Sequence, residues 1–228
     1  MTGLTLHLNI LPESQREVWK RLGATPGNFV LYGGTALALR LAHRESIDFD
    51  FFSRPSFQPS VLLRSIPYLE NQTVTQQSES TLSCDIATPK GVVKVSFFGG
   101  LSLGQIAPPD LAEGNGIAIA SLIDLFGMKC ATVPQRNEVK DYRDIHALLV
   151  KGKIELSQGI AAARAIYGQQ YNPVLTLQAL SYYGDLSEEL PASMKADLVA
   201  AVKSVSLRNL PTVSASQSIG EGIRRASP

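Results

Sequence analysis

An α+β fold, a mixed β-sheet with flanking helices followed by a C-terminal helical bundle, is expected from three features of the chain. Short apolar or alternating runs, FVLY, IDFDFF, TVTQQ, STLSCDIA and VVKVSFF, are confined to the first half. The last two are joined by TPKG, a hairpin signal. Beyond residue 117 only helical periodicity remains. The expected division is an α/β domain over 1–118, a helical domain over 119–210, and a polar, small-residue tail over 211–228 expected to be flexible.

Pro12 and Glu13 open a short helix over SQREVWKRLG, closed by Gly23. After the turn TPGN, the strand over 29–32 ends at Gly33 and Gly34, and TALALRLAH reads as a helix from Thr35. Apolar residues on nearly every face of that helix predict that it is buried. IDFDFF is the second strand, SFQPSVLLRSIPYLE a helix, and three strands follow. Ser121 and Asp124 form an S-x-x-D capping box for a helix running to about Val133. Further helices are expected at 137–150, 155–167, 172–183 and 191–209, with Asn172 as cap and Pro173 in first position of the third.

Composition narrows the function classes. The 228 residues are 44% hydrophobic, enough to bury a proper core. A net charge of +1, with 18% charged residues, excludes a global attraction to nucleic acid or anionic membrane, so any such contact needs a local patch. Cys84 and Cys130 lie far apart without a C-x-x-C spacing, which suits reduced thiols better than a disulfide framework. The N-terminal residues have no signal-peptide pattern, and no run reaches the roughly 18 apolar residues of a membrane span. A cytoplasmic protein with no membrane association is expected.

The chemistry concentrates in LYGGTALALRLAHRESIDFDFF, residues 31–52. In a strand Asp48 and Asp50 point to one face while Phe49 and Phe51 point to the other. Adjacent carboxylates repel unless a cation lies between them, and Mg²⁺ commonly takes one or two carboxylates together with nucleotide phosphates. Upstream, Gly33 and Gly34 allow backbone N–H groups to approach an anion closely, and the following helix directs its positive dipole end there. Taken singly, a glycine pair is often a tight turn and a D-x-D strand a solvated edge. The order of strand, GGT, buried helix, turn with His43 and Arg44, and D-x-D strand favours a metal and triphosphate site.

These residues carry a resemblance. GGTALALRLAHRESIDFDFF resembles the signature of the AbiEii/AbiGii toxin family, a branch of the DNA polymerase β-like nucleotidyltransferase superfamily. SLIDLFGMKCATVPQRNEVKDYRDIHALL, residues 121–149, is similar to the family's downstream region, with a lysine on one helix and K-D-x-x-D on the next. The two blocks span most of residues 29–150, and the C-terminal helices carry no matching motif. The resemblance implies a nucleotidyltransferase-type sheet with a helical domain that completes the active site. It implies Mg²⁺-dependent transfer of a nucleotide from a nucleoside triphosphate (NTP) to an acceptor hydroxyl, which in some relatives is the tRNA 3′ end. It also implies the toxin of a bacterial toxin–antitoxin or phage-defence pair, with a cognate antitoxin protein as partner.

Carried over residue by residue, the resemblance implies that Asp48 and Asp50 hold metal and, with Lys129, carry catalysis. Gly33, Gly34, Thr35, Lys140, Asp141 and Asp144 would bind nucleotide or phosphate. Arg44 would touch either the nucleotide or Asp48. Arg136, Arg143 and Lys151 on adjacent helices are candidates for acceptor phosphates, or are simply solvated, and Tyr142 is the one plausible stacking platform among them. Lys140 and Asp144, four apart on a helix, also fit an ordinary surface ion pair.

The pattern departs from the superfamily at one position. A third carboxylate usually stands on a neighbouring strand, and the aligned residue in VVKVSFF is Ser96, with Lys94 two residues away on the same face. Serine cannot replace a carboxylate as a base or strong Mg²⁺ ligand. Two aspartates suffice, or Asp85 on the preceding strand substitutes, or catalysis is weakened. The rival readings are therefore a catalytically silent nucleotide- or RNA-binding module, and a transferase acting on a small molecule or protein.

Overall fold

The structure, a computed structural model, describes residues 5–186, 188–215 and 217–220. The chain divides into two compact units, the first of Met1–Leu103, Pro108–Ser121 and Gln217–Pro228, the second of Gly104–Ala107 and Leu122–Ser216.

The first unit contains α1 (Glu13–Trp19), β1 (Val30–Tyr32), α2 (Gly33–Leu41), β2 (Asp48–Phe52), α3 (Pro59–Ser65), β3 (Thr73–Ser78), β4 (Thr81–Thr88) and β5 (Gly91–Phe98). A short strand of the second unit, β6 (Gly104–Gln105), comes next in sequence, and β7 (Asp110–Leu111) and β8 (Ala118–Ile119) return to the first. A seven-stranded sheet has the order β3-β4-β5-β2-β1-β8-β7. It is mixed: β2 runs parallel to β5 and β1 to β8, and the other neighbours are antiparallel. Strands β7 and β8 were not expected, because two residues each are too few to show a period.

The alternation in β2 decides which side of the sheet is core. Phe49 and Phe51 are fully buried, with Trp19 of α1 stacked on Phe49 at 6.2 Å and Phe97 of β5 on Phe51 at 5.4 Å. Each such ring contributes about 1.5–3 kcal/mol by leaving water. Asp48 and Asp50 consequently face the other side, where both are half-buried.

Helix α2 is buried as expected, from Thr35 through Leu39 and at Leu41. It starts at Gly33, two residues before the expected position, so the glycine pair forms its first turn. Arg40 anchors the helix to the sheet edge, donating to the Asp110 carboxylate at 2.7 Å and the Ile119 carbonyl at 3.0 Å. The helix expected over 56–70 resolves into α3 and a separate 3₁₀ turn, Pro67–Leu69, because a proline ring cannot continue an α-helix.

The second unit contains α4 (Leu122–Thr132), α5 (Val139–Val150), α6 (Leu156–Tyr167), α7 (Pro173–Ala179) and α8 (Ala192–Ser204). Asn172 caps α7 by accepting from the Val174 amide at 3.0 Å, with Pro173 in first position as expected. Asp124 is buried, and its two carboxylate oxygens accept from the Ile106 and Ala107 amides at 2.7 and 3.0 Å. Of the tail expected over 211–228, residues 216 and 221–228 lie outside the described residues, and Gln217–Ser218 forms a short strand, β9.

Candidate functional site

Within the first unit the register of β2 places Asp50 between Tyr32 of β1 and Ser96 of β5, and Asp48 beside Lys94 of β5. The start of α2 closes over the same strand. Gly33 has φ +75°, and a Cβ built there would lie 2.8 Å from Asp50 Oδ2. A Cβ on Gly34 would lie 2.7 Å from both Arg44 Nη2 and Ser46 Oγ. The buried Thr35 hydroxyl donates to the Asp48 carbonyl, tying the first turn of the helix to the strand. Gly33, Gly34, Thr35, Arg44, Asp48 and Asp50, expected from sequence to share a site, thus come together in this unit.

Gly33 is required by conformation, and a Cβ at either position would displace a side chain, Asp50 at Gly33 and Arg44 with Ser46 at Gly34. Gly33→Ala forces a side chain into the left-handed region, costing about 1–2 kcal/mol, and onto the Asp50 carboxylate. Its thermal midpoint is expected to fall by several degrees, roughly 2–4 °C per kcal/mol. An unchanged midpoint would contradict the close approach. Ser46 was missed in the sequence, although Ser46, Asp48 and Asp50 alternate along the run into β2.

Two carboxylates on one half-buried face fit the protein share of a Mg²⁺ site completed by phosphates. Among the described residues, no three His, Cys, Asp or Glu side chains gather to hold a metal. Asp85 pairs with Lys94 on the far side of β5, which sets it two strand spacings, about 10 Å, from Asp48. Ser96 is buried and accepts from the Ser83 hydroxyl at 3.0 Å.

A second cluster lies within the second unit. Lys129 Nζ of α4 is 2.6 Å from Asp141 Oδ1 and 2.7 Å from Asp144 Oδ2, both on α5. The aspartate side chains are fully buried and the lysine is 11% exposed. Asp141 Oδ2 is buried with no hydrogen-bond partner among the described residues. Positions three apart on a helix share a face, which lets one lysine meet both acids.

Lys140 does not join them. It is exposed and pairs with Glu138 at 2.6 Å, a hydrogen bond that holds the Glu138 carboxyl below its ordinary range. The surface pair of Lys140 with Asp144 that helical spacing also allowed is absent because Asp144 turns inward to Lys129. Arg136, Arg143 and Lys151 all face solvent, with Arg143 3.8 Å from Glu188. Tyr142 is not a surface platform: it is 2% exposed and packs edge-on against Tyr183 at 5.9 Å. Cys84 and Cys130 are free and buried. Burial pushes both thiols up, with the Asp85 charge adding to the effect at Cys84.

No helix among the described residues is long and apolar enough to cross a membrane. Residues 20–210 match the family model for the nucleotidyl transferase AbiEii toxin of type IV toxin–antitoxin systems. An uncharacterized protein of Aquifex aeolicus is 31% identical over 184 residues, which cover 79% of this chain and 86% of that protein. Among solved structures, a protein of H. pylori assigned as a nucleotidyltransferase superposes with a TM-score of 0.52 at 18% identity, covering 83% of this chain and 90% of that one. MenT4, a nucleotidyltransferase toxin of Mycobacterium tuberculosis, superposes with a TM-score of 0.57 at 16% identity, covering 86% of this chain and 83% of that one. The mixed sheet and its helices therefore have a nucleotidyltransferase fold, and the chain belongs to the AbiEii nucleotidyl transferase toxin family.

Proposed function

We propose that this protein is a Mg²⁺-dependent toxin that transfers a nucleotide from an NTP to an acceptor hydroxyl, the 3′ end of tRNA being the acceptor. The observation that carries the reading is the approach of Asp50 Oδ2 to Gly33, which sets the carboxylate face of β2 against the amide-rich start of α2. The amides of that first turn and the Arg44 guanidinium bind the triphosphate. Asp48 and Asp50 hold Mg²⁺, which when bound neutralises phosphate charge and eases ionisation of the acceptor hydroxyl. The acceptor oxygen bonds to the α-phosphorus as the bond to pyrophosphate breaks. Within the second unit Lys129 is the cation proposed to meet phosphate, with Asp141 and Asp144 fixing its ammonium. A cognate antitoxin protein is the expected partner.

A second reading, a silent nucleotide- or RNA-binding module, is favoured by one observation: a hydroxyl, that of Ser96, and not a carboxylate, stands beside Asp50 on β5. Incubation with each α-³²P-labelled NTP, Mg²⁺ and total tRNA, beside a chelator control and an Asp48→Ala, Asp50→Ala variant, separates the two. Label on RNA from the wild type alone is the expected result. Binding without transfer to any acceptor would leave the silent module. Label on protein or a small molecule would keep the enzyme and change the acceptor.

The acceptor proposal has its own test. Reversing charge at Arg136, Arg143 and Lys151 together is expected to weaken tRNA binding at least tenfold at low salt. The log–log salt slope should become shallower by about 2. Equal binding and an equal slope would place the acceptor elsewhere.

A further inference from the structure

We propose that a pocket in the second unit, walled by α7 and the turn after it and floored by Tyr142, binds one unstacked nucleobase of the acceptor RNA, a base that carries an exocyclic amino group. The inference rests on the RNA-acceptor reading given above.

The cavity has a volume of about 340 Å³. Ligand pockets start at about 300 Å³, so this one suits a single planar ring system and not a peptide helix. Pro134 and Leu175 supply apolar surface, Asn137, Gln178 and Asp185 polar groups, and Tyr182 an aromatic ring. Tyr142, 2% exposed and packed edge-on against Tyr183, closes the floor. The wall is built before any ligand arrives: Asn172 caps α7, and the buried Thr176 hydroxyl donates to the Cys130 carbonyl of α4 at 2.7 Å. Tyr182 is 62% exposed. A Cβ on Gly184 would lie 2.5 Å from Tyr182 Oη and 2.8 Å from Cζ, so the end of the ring rests against the Gly184 backbone. An exposed ring beside a concave surface is an arrangement on which bases stack. The stacking platform expected at Tyr142 is thus replaced by the ring at Tyr182.

The polar groups select a base over an apolar side chain. A carboxamide presents a donor and an acceptor side by side, which matches the edge of a base, and the Asn137 and Gln178 side chains make no hydrogen bond among the described residues. A carboxylate such as Asp185 accepts from the exocyclic amino group of cytosine or adenine and repels the carbonyl oxygen that uracil places there. Arg136 and Arg143 are chain neighbours of Asn137 and Tyr142, which puts cations beside the pocket for the flanking phosphates. Glu188, 3.8 Å from Arg143, offsets part of that charge, so the ring is expected to contribute more affinity than the phosphate contacts.

The probes are fluorescein-labelled RNA octamers of cytidine, adenosine or uridine, titrated with the full chain and read by anisotropy. The wild type should bind the cytidine and adenosine octamers at least about threefold more tightly than the uridine octamer. Tyr182→Ala should weaken the cytidine octamer by about 5- to 100-fold, the loss of one stacked base, with an unchanged salt slope, and Tyr182→Phe should keep most of the affinity. Gly184→Ala, which pushes the ring aside without removing it, should weaken binding in the same direction. Asp185→Ala should bring the ratio of cytidine to uridine affinity close to one. That ratio is read within one variant, so the general gain from losing a negative charge cancels. Tyr182 and Asp185 are exposed, and the thermal midpoints of their variants should stay within a few degrees of the wild type.

Equal binding by Tyr182→Ala, equal losses in Tyr182→Ala and Tyr182→Phe, or no preference between the cytidine and uridine octamers overturns the proposal. Absence of binding by every octamer also overturns it and leaves the pocket to a protein partner. None of these measurements uses transfer of label. Octamer binding that depends on Tyr182 supports the pocket even if no nucleotide is transferred, and transfer to RNA with unchanged binding by Tyr182→Ala overturns the pocket and keeps the transferase.

Discussion

Asp50→Asn is expected to reduce nucleotidyl transfer by about 100- to 1000-fold, the scale of losing one electrostatic element of an active site, while leaving the fold intact. Asparagine matches aspartate in shape, so the space beside Gly33 stays filled, but its neutral amide is a weak ligand for a hard cation. Asp48 and Asp50 point to one face two residues apart, and removing one charge relieves their mutual repulsion. With the shape of the side chain kept, the thermal midpoint should stay within a few degrees as activity disappears. Loss of transfer with a lowered midpoint would instead indicate damage to the fold. Retention of more than about a tenth of the activity would remove Asp50 from the site.

Lys129→Met should have the largest effect on stability. It leaves the Asp141 and Asp144 carboxylates buried without their shared counter-charge, a change worth about 3–5 kcal/mol when one partner of a buried pair is removed. At roughly 2–4 °C per kcal/mol, the midpoint of unfolding should drop by about 10 °C. Adding Asp141→Asn and Asp144→Asn should restore much of the loss, because the penalty belongs to the unpaired charges and not to the missing lysine. Lys140→Ala offers the contrast. Its pair with Glu138 is exposed and should contribute no more than about 1 kcal/mol. A midpoint unmoved by Lys129→Met would mean that the acids find other partners or become protonated.

That the first unit's candidate residues would lie together was legible because they are local in sequence. The alternation of IDFDFF separates acids from phenylalanines, and the all-round apolar helix after GGT correctly reads as buried. Helical spacing was less informative in the second unit. It puts Lys140 and Asp144 near one another on α5, but which face turns to α4 depends on packing, and packing chose Asp141 and Asp144 for Lys129. Tyr142, adjacent to Asp141, is buried by the same rotation of the helix. The serine pair was within reach: a two-residue turn at Pro89 and Lys90 pairs Thr88 with Gly91, and that register brings Ser83 opposite Ser96. Residues 110–111 and 118–119 give no such cue, since their strand pairing arises only once β1 offers an edge.

The Thr35 hydroxyl bond to the Asp48 carbonyl spans 13 residues and fastens the glycine turn to the acidic strand as a clasp closes a loop. The two motifs then behave as a single mechanical part, so the triphosphate proposed to bind there would meet a surface already assembled and give up little affinity to ordering it. The entropy of joining them is settled once, during folding, rather than at every encounter with a nucleotide.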